Sequence, residues 1–519
     1  MMVSNEDLVA SNPLYQILID GDPDASYLWT SNLEDIAVEE EEIPIPCGFT
    51  YALHIMSFTE DQQLLEYRTL LETHVDPVFA AQVPIIQFML EEGVKVFTNI
   101  HMNWDGIQGI PLFELDWEED TPLILKPKCR PISANILEVA EKEFNRLRGY
   151  LLKPSNSPVC SNIVVASKAT YPFVRICGDY VAINKYIRHG HYPIPCIRSQ
   201  LDRIQTYSLY ADIDFKNAFH QVRIGPISSA RLSITTPWGQ FQSPFMQEGT
   251  PPATGKWMEI VNNIFEEYKD WILLINDNML ILAHTSEELF EKIKLIIRRC
   301  FKHNMFLKME KSMLGIHKVK FFGYECEKNK FRIDERRRQD IQDIPPPITR
   351  KGMQSFLGTV VICSGFIPNY SVRAIALYNM TTATYDWNNA WSERELETFA
   401  DIKQAVIESC SLHYPDNDKT LVIETDASDY GWGSALYQYG ADKVIEPIAF
   451  MGRKFSAVAL KWYAYKKECY SEYASMKAYE DYIYGRCFYL YNDHQNLMQL
   501  SDEALQSHVF FCKVHQRNG

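Results

Sequence analysis

No run of 18 or more apolar residues occurs in the chain, so no membrane-spanning helix is expected. No CxxC pair occurs either. The 12 cysteines are scattered from Cys47 to Cys512, which argues against a disulfide scaffold or a zinc finger and fits a reducing compartment. The opening MMVSNEDLVASN has neither a basic n-region nor an apolar h-region, so no secretory signal is expected. Internal repeats and low-complexity tracts are absent. Basic side chains are scarce in one region: residues 1–120 hold 24 acidic and only 2 basic residues.

What is present points to a folded protein. At 519 residues the chain is too long for one core, and roughly three or four domains are expected. Aromatics at 13% exclude a largely disordered chain. The net charge of −16 speaks at first against a nucleic-acid binder. Its distribution reverses that reading. The acidity is N-terminal, and Lys292–Arg338 holds 15 basic and 5 acidic residues, a stretch suited to phosphates. Charge alone leaves a solvated basic helix face as the plainer alternative. Glu39-Glu40-Glu41-Glu42 followed by Ile-Pro-Ile-Pro reads as a linker, and residues 60–120 mix helical and strand-like patterns.

From about residue 122 the pattern is regular. Ile136, Ala140, Phe144, Leu147 and Leu151 recur at helical spacing over 133–152, with Ser133 as a cap and Pro154 as the stop. Strands are expected at 162–167, 173–177 and 208–214. Tyr192-Pro193-Ile194-Pro195 reads as a break. Two apolar runs, 271–275 and 279–283, flank Asn276-Asp277-Asn278 and read as a buried β-hairpin. A long amphipathic helix over 286–303 follows, and the mixture is α+β.

Two aspartates stand where this structure would present them. Asp214 ends a strand in LYADIDFKNAFHQ, and Asp277 lies at the hairpin turn in LLINDNMLIL. Carboxylates there are costly unless paired or bound to a cation. Two on adjacent strands could hold Mg²⁺ ions about 3.5–4 Å apart for in-line phosphoryl transfer. Taken singly, each reads as readily as turn chemistry or an ordinary strand-end residue.

The flanking motifs extend the pattern. They run SNSP (155–158), VVASKATYPFVRICGDYVAINKYI (164–187), HYPIP (191–195), LYADIDFKNAFHQVRI (209–224), ITTPWGQF (234–241), INDN (275–278) and FFGYE (321–325). MQSFLGTVVICSGFIPNYS (353–371), ETDASDYGWGSALYQ (424–438), KKECY (466–470) and YNDHQNL (491–497) follow. In this order and spacing, residues 122–500 resemble the reverse transcriptase and ribonuclease H part of the polyprotein of gypsy-type LTR retrotransposons.

The resemblance implies a right-hand polymerase of fingers, palm and thumb, then a connection and an RNase H-like α/β domain. Its boundaries would be an acidic region of unknown fold at 1–120, fingers and palm at 121–325, thumb and connection at 326–415, and a C-terminally incomplete RNase H-like domain at 416–519. Asp214 matches the aspartate of the first palm motif, and Asp277 the first aspartate of the tyrosine-any-Asp-Asp hairpin. Phe219 matches the aromatic gate under the sugar. Lys168 and Arg175 match finger residues that grip the triphosphate. Gly323 and Tyr324 match the primer-holding hairpin. Asp426, Glu468 and Asp493 match the first three RNase H carboxylates, which would bind metal and activate water against RNA in a hybrid. Mg²⁺, with Mn²⁺ as a substitute, is the implied cofactor. RNA template, DNA primer, RNA–DNA hybrid and deoxynucleotide triphosphates are the implied partners. The cytoplasm, including virus-like particles, is the implied location, with no membrane.

The departures are specific. Ile275 replaces the usual tyrosine, and Asn278 replaces the second aspartate, which removes one of three negative charges. Weaker metal affinity and a loss of rate are expected. Asp212 lies on the same strand face as Asp214 and is expected to compensate. In MQEGTPPATGKW (246–257), Glu248 stands where a neutral residue normally lies over the nucleotide. The family's fourth RNase H acid is not found, and the domain is expected to lack its last helix and strand. No Asp-Ser/Thr-Gly protease motif and no His-His-Cys-Cys integrase signature occurs. The alternative to a polymerase is a non-catalytic retroelement remnant or domesticated nucleic-acid binder.

Overall fold

The structure is a computed structural model that describes residues 60–98, 104–148, 150–168, 173–188, 192, 197–321, 323–492 and 511–516. The Glu39–Glu42 linker, His191, the Pro193–Pro195 break and Asp493 lie outside the described residues. The chain divides into two compact units. One holds residues 207–317 with the chain up to residue 200, and the other holds residues 201–206 with the chain from 318 onward. Among the described residues, no helix is long and apolar enough to cross a membrane.

In the first unit, helix α1 (Glu60–His74) packs on the long strand Leu307–Ile316. The next short helix, Pro77–Gln82, begins where Asp76 Oδ1 accepts from Val78 N and Phe79 N at 2.9 and 3.1 Å. Phe79 of that helix presses on Gly315, which has φ +80°. A Cβ there would lie 2.4 Å from the phenylalanine, so only glycine fits.

Helix α2 (Ala134–Arg148) buries Ala140, Phe144 and Leu147, as the periodicity requires. It stops short of the expected residue 152. Leu151 N and Leu152 N both donate to Leu147 O, which closes the helix before Pro154. Strands β1 (Ser161–Ser167) and β2 (Val174–Asp179) form an antiparallel hairpin. Their sheet runs Lys153–Pro154, Gly239–Gln242, Ile234–Thr236, β1, β2. Phe144 stacks on Trp238 and meets Phe241 edge-on, which fixes α2 to this sheet.

The second sheet of this unit is antiparallel. It consists of β3 (Leu209–Phe215), β4 (Ile272–Ile275), β5 (Asn278–Ala283) and β6 (Leu307–Ile316), in the order β6-β3-β5-β4. Leu209, Ala211, Ile213 and Phe215 all enter the hydrophobic core, so the alternation assigns Asp212 and Asp214 to the other face. Helices α3 (Ala253–Ile264) and α4 (Ser286–Lys302) cover the apolar side. Trp257 of α3 is fully buried, edge-on to Phe215, and α4 buries Leu289, Ile293, Ile296, Ile297 and Cys300.

In the second unit, Val319–Phe321, Tyr324–Glu327, Lys330–Ile333 and Leu412–His413 form a small antiparallel sheet. Helix α5 (Glu393–Ile407) is opened by a capping box of Ser392 and Glu395. A five-stranded sheet follows: β7 (Leu421–Ala427), β8 (Gly431–Tyr439), β9 (Ile445–Lys454), β10 (Cys487–Asn492) and β11 (Phe511–Gln516), in the order β9-β8-β7-β10-β11. The first three are antiparallel, whereas β10 and β11 run parallel to β7. Helix α6 (Ala464–Ala478) packs on β7 and β8. β11 pairs with β10 from Cys487↔Phe511 to Asn492↔Gln516, and this ladder satisfies an edge that β10 would otherwise leave open.

Candidate functional site

The hairpin between β4 and β5 turns on two residues, Asn276 and Asp277. Asn276 has φ +51°, a left-handed conformation that asparagine tolerates. Trp257 Nε1 donates to Asn276 O, and Phe215 N donates to Asp277 O at 2.8 Å. The second bond ties the turn to the end of β3. Register completes the arrangement: Asn278 lies opposite Asp214, and Leu280 lies opposite Asp212. Asp212, Asp214, Asp277 and Asn278 therefore all lie toward one end of the sheet.

Their electrostatics follow from burial. Asp214 is buried, and desolvation pushes its carboxyl up to about 6. Asp277 pushes in the same direction, whereas Lys311 and Lys308 pull it down. Lys311 Nζ lies 3.3 Å from Asp214 Oδ2. Asp212 is also pushed up to about 6, by burial first and then by Asp214 and Asp277. A weak bond from Asn278 Nδ2 to Asp212 Oδ1, at 3.4 Å, works against that shift. Lys311 reaches Asp214 because β6 breaks register between Lys308 and Met313 opposite β3. Ser312, within this irregularity, accepts from Asp214 N at 3.1 Å and donates to Lys308 O at 2.7 Å.

Among the described residues, no three or more His, Cys, Asp or Glu are gathered as a metal site. The donor chemistry nevertheless fits a hard divalent cation. The cluster offers only oxygen ligands, and two of its carboxyls are shifted upward by burial first and by neighbouring carboxylates after it, a cost that a bound cation would relieve.

Phe219 sits half-buried in a 3₁₀ turn, Ala218–Gln221, after Asn217 at φ +48°. Buried Gln221 clamps this turn. Its amide donates to Lys216 O and Phe306 O, and its carbonyl accepts from Phe306 N. Lys168 and Arg175 flank the tip of the β1–β2 hairpin, which Lys168 N closes by donating to Phe173 O at 2.8 Å. Lys168 is exposed, and its pKa is lowered by desolvation and by the cations Lys308, Arg175 and Lys311. Desolvation opposes the charge of Arg175, but Glu248 and Asp277 hold its pKa above the ordinary guanidinium value. Arg175 is ion-paired with Glu248. Gly323 and Tyr324 lie in the other unit. There Gly323 adopts φ +77° and Tyr324 stacks on Phe366 at 5.6 Å.

In the second unit, Asp426 is exposed near the end of β7. Glu468 is buried on α6, and Glu472 is buried one turn further along the same helix face. Asn492, at the end of β10, donates to Glu468 Oε2 and Thr425 Oγ1, each at 3.4 Å. Burial first, and Glu468 second, push Glu472 up to about 7. Glu472 Oε1 has no hydrogen-bond partner among the described residues. Asp493 lies outside the described residues, so the third expected carboxylate is not located.

Sequence reasoning missed Lys311, Glu472 and the partner of Glu248. Glu472 carried a signal in its four-residue spacing from Glu468. The other two depend on contacts between residues 97 and 73 positions apart, which no local pattern reveals.

Comparison with known proteins agrees with this organisation. Residues 170–326 match the family of reverse transcriptases (RNA-dependent DNA polymerases). Residues 391–490 match the RNase H-like domain found in reverse transcriptase. The Tf2-7 and Tf2-3 transposon polyproteins of Schizosaccharomyces pombe are 27% and 26% identical over 373 residues, covering 71% of this chain. The chain spans only 28% of the length of those relatives. Two solved structures of foamy viral protease-reverse transcriptase with double-stranded DNA share the fold at TM-score 0.73 and 17% identity. They cover 88% of this chain and 82% and 97% of theirs. A third, with RNA/DNA hybrid, has TM-score 0.66 at 16% identity, covering 88% of this chain and 63% of its own. The chain thus carries a reverse transcriptase domain followed by an RNase H-like domain, and the gypsy-type resemblance drawn from its motifs holds.

Proposed function

We propose that the chain is the RNA-directed DNA polymerase of a retroelement, extending a DNA primer on an RNA template. The observation that carries this reading is the meeting of Asp214 and Asp277, tied together by the Phe215 N to Asp277 O bond. Asp214 and Asp277 are the metal-holding carboxylates, with the Asn278 amide oxygen as a neutral supplement. Bound Mg²⁺ or Mn²⁺ would ease deprotonation of the primer 3′-hydroxyl and stabilise charge on the transferring phosphoryl group. Lys311 offsets the burial that would otherwise keep Asp214 protonated. Lys168 and Arg175 hold the triphosphate, and Phe219 packs under the sugar and rejects a ribose 2′-hydroxyl. Gly323 and Tyr324 hold the primer. Asp426, Glu468 and Asp493 are the metal ligands of the RNase H-like domain, acting on RNA in a hybrid. Fingers and palm occupy 121–325, thumb and connection 326–415, and the RNase H-like domain 416–519. The work would be done in the cytoplasm, within virus-like particles.

Primer extension on a poly(rA) template with an oligo(dT) primer tests this. Product should form with Mg²⁺ or Mn²⁺ and vanish in Asp214→Ala. A second reading, a nucleic-acid binder without catalysis, draws on Asn278 and Glu248, which depart from the polymerase pattern. Hybrid binding without extension would favour it.

A further inference from the structure

The guanidinium of Arg175, the residue assigned above to the triphosphate, is already engaged. The Glu248 carboxylate meets Arg175 Nη2 through both oxygens. The engagement is built from both sides. On one side, strand pairing sets Arg175 opposite Ala166 in the β1–β2 hairpin. On the other, Glu248 rides on a tight turn. Asn184 Nδ2 donates to Gly249 O at 2.8 Å, and Thr250 Oγ1 donates to Gln247 O at 3.1 Å. Gly249 supplies φ +80° at the next position. The pair also lies beside the catalytic end of the sheet. Asp277 acts electrostatically on Arg175, and both members of the pair act on His220, the neighbour of Phe219. Lys168, the other finger cation, is exposed and carries no ion pair among the described residues.

A guanidinium binds an anion best when two of its N–H groups meet it side by side, and Glu248 occupies the Nη2 nitrogen that such a pair would use. Resting on the assignment of Arg175 to the triphosphate, we propose that Glu248 is an internal anion that an incoming nucleotide must displace from Arg175. It thereby sets nucleotide affinity, leaving the chemical step alone. Glu248 is a positioning residue here: it acts on the nucleotide only through Arg175. The four-fold charge of a nucleoside triphosphate would win the exchange, whereas a monophosphate, with half that charge, would compete poorly.

The test measures equilibrium binding of labelled dTTP to the full chain on a poly(rA)–oligo(dT) duplex in Ca²⁺, so turnover is not needed. KM and kcat of extension in Mg²⁺ are measured alongside. Glu248→Gln, with Glu248→Ala as a second variant in case one misfolds, should tighten dTTP binding and lower KM about fivefold, with kcat within about twofold. Arg175→Gln should weaken binding, and adding Glu248→Gln to it should restore nothing, because the competitor then has no cation to hold. Unchanged or weaker binding in both Glu248 variants overturns the inference, as does tightening that persists without Arg175. Asp214→Ala separates this failure from failure of the polymerase reading. Loss of extension in Asp214→Ala with unmoved Glu248 variants condemns the inference alone, whereas undiminished extension in Asp214→Ala condemns the polymerase assignment.

Discussion

The β3–β5 sheet end and the α6 pocket of the RNase H-like domain face one physical problem and answer it differently. Each buries acidic side chains, and a buried carboxylate needs a compensating partner. At the sheet end, Lys311 stands 3.3 Å from Asp214, and the register irregularity in β6 delivers it there. In the α6 pocket, the amide of Asn492 bonds Glu468, while one oxygen of Glu472 has no partner among the described residues. Lys467, the buried cation of that helix, turns instead to Asp429 at 3.0 Å. Burial raises the carboxyls in both pockets, but the first sets a cation beside its buried carboxylate, whereas the second sets an amide and another carboxylate there. Two sites that share oxygen-rich chemistry thus differ in the charge that compensates it.

The largest expected effect breaks the comparison from the polymerase side. Asp214→Ala should reduce primer extension by roughly a thousandfold or more while the RNase H-like domain stays folded. Next is stability in the second pocket. Glu472 is raised from 4.5 to about 7, so it supports folding fully below pH 4.5, and that support is lost as pH rises toward 7. Denaturant melts of the full chain should show the RNase H-like transition weaker at pH 8 than at pH 5 by on the order of 2–3 kcal/mol. Glu472→Gln should flatten that dependence; a slope that survives the substitution would remove Glu472 from the account.

Restoring the charge missing at position 278 sharpens the contrast. Asn278→Asp adds a carboxylate opposite Asp214 and should raise Mg²⁺-dependent extension about tenfold. No gain, with folding intact, would mean that the amide is not what limits the site. The smallest effect is a shift in pH profile. Asp214 must be ionised to hold a cation, so extension should fall as pH drops through about 6. Lys311→Met removes the charge that pulls this pKa down, so the acidic limb should move to higher pH, with little change above pH 8. An unmoved limb would show that Lys311 does not govern Asp214.

How much of this was legible in the sequence depends on range. β3 and the β4–β5 hairpin were readable because a period of two and an Asn-Asp turn are local signals. Helix α4 was readable because its apolar residues recur every three to four positions. The meeting of Asp214 with Asp277 was legible only through the order of the flanking motifs. The contacts of Lys311 and Glu248 were not legible, since each needs two elements brought together by the tertiary fold. Nor was β11, a short strand with Lys513, His515 and Gln516 among its six residues, which is recognised only by its pairing with β10. Helix α6 misleads in its own way: its buried face carries Lys467, Glu468, Ser471, Glu472 and Ser475, so hydrophobic periodicity gives no warning of a buried side.

The most direct measurement is a Mn²⁺ titration followed by electron paramagnetic resonance, on the full chain with primer, template and dTTP, in wild type, Asp214→Ala, Asp277→Ala and the double variant. Shared coordination predicts that either single substitution removes tight Mn²⁺ binding and extension together, and that the double variant is no worse than either single. Tight Mn²⁺ binding undiminished in the double variant would contradict a cation held between these two aspartates.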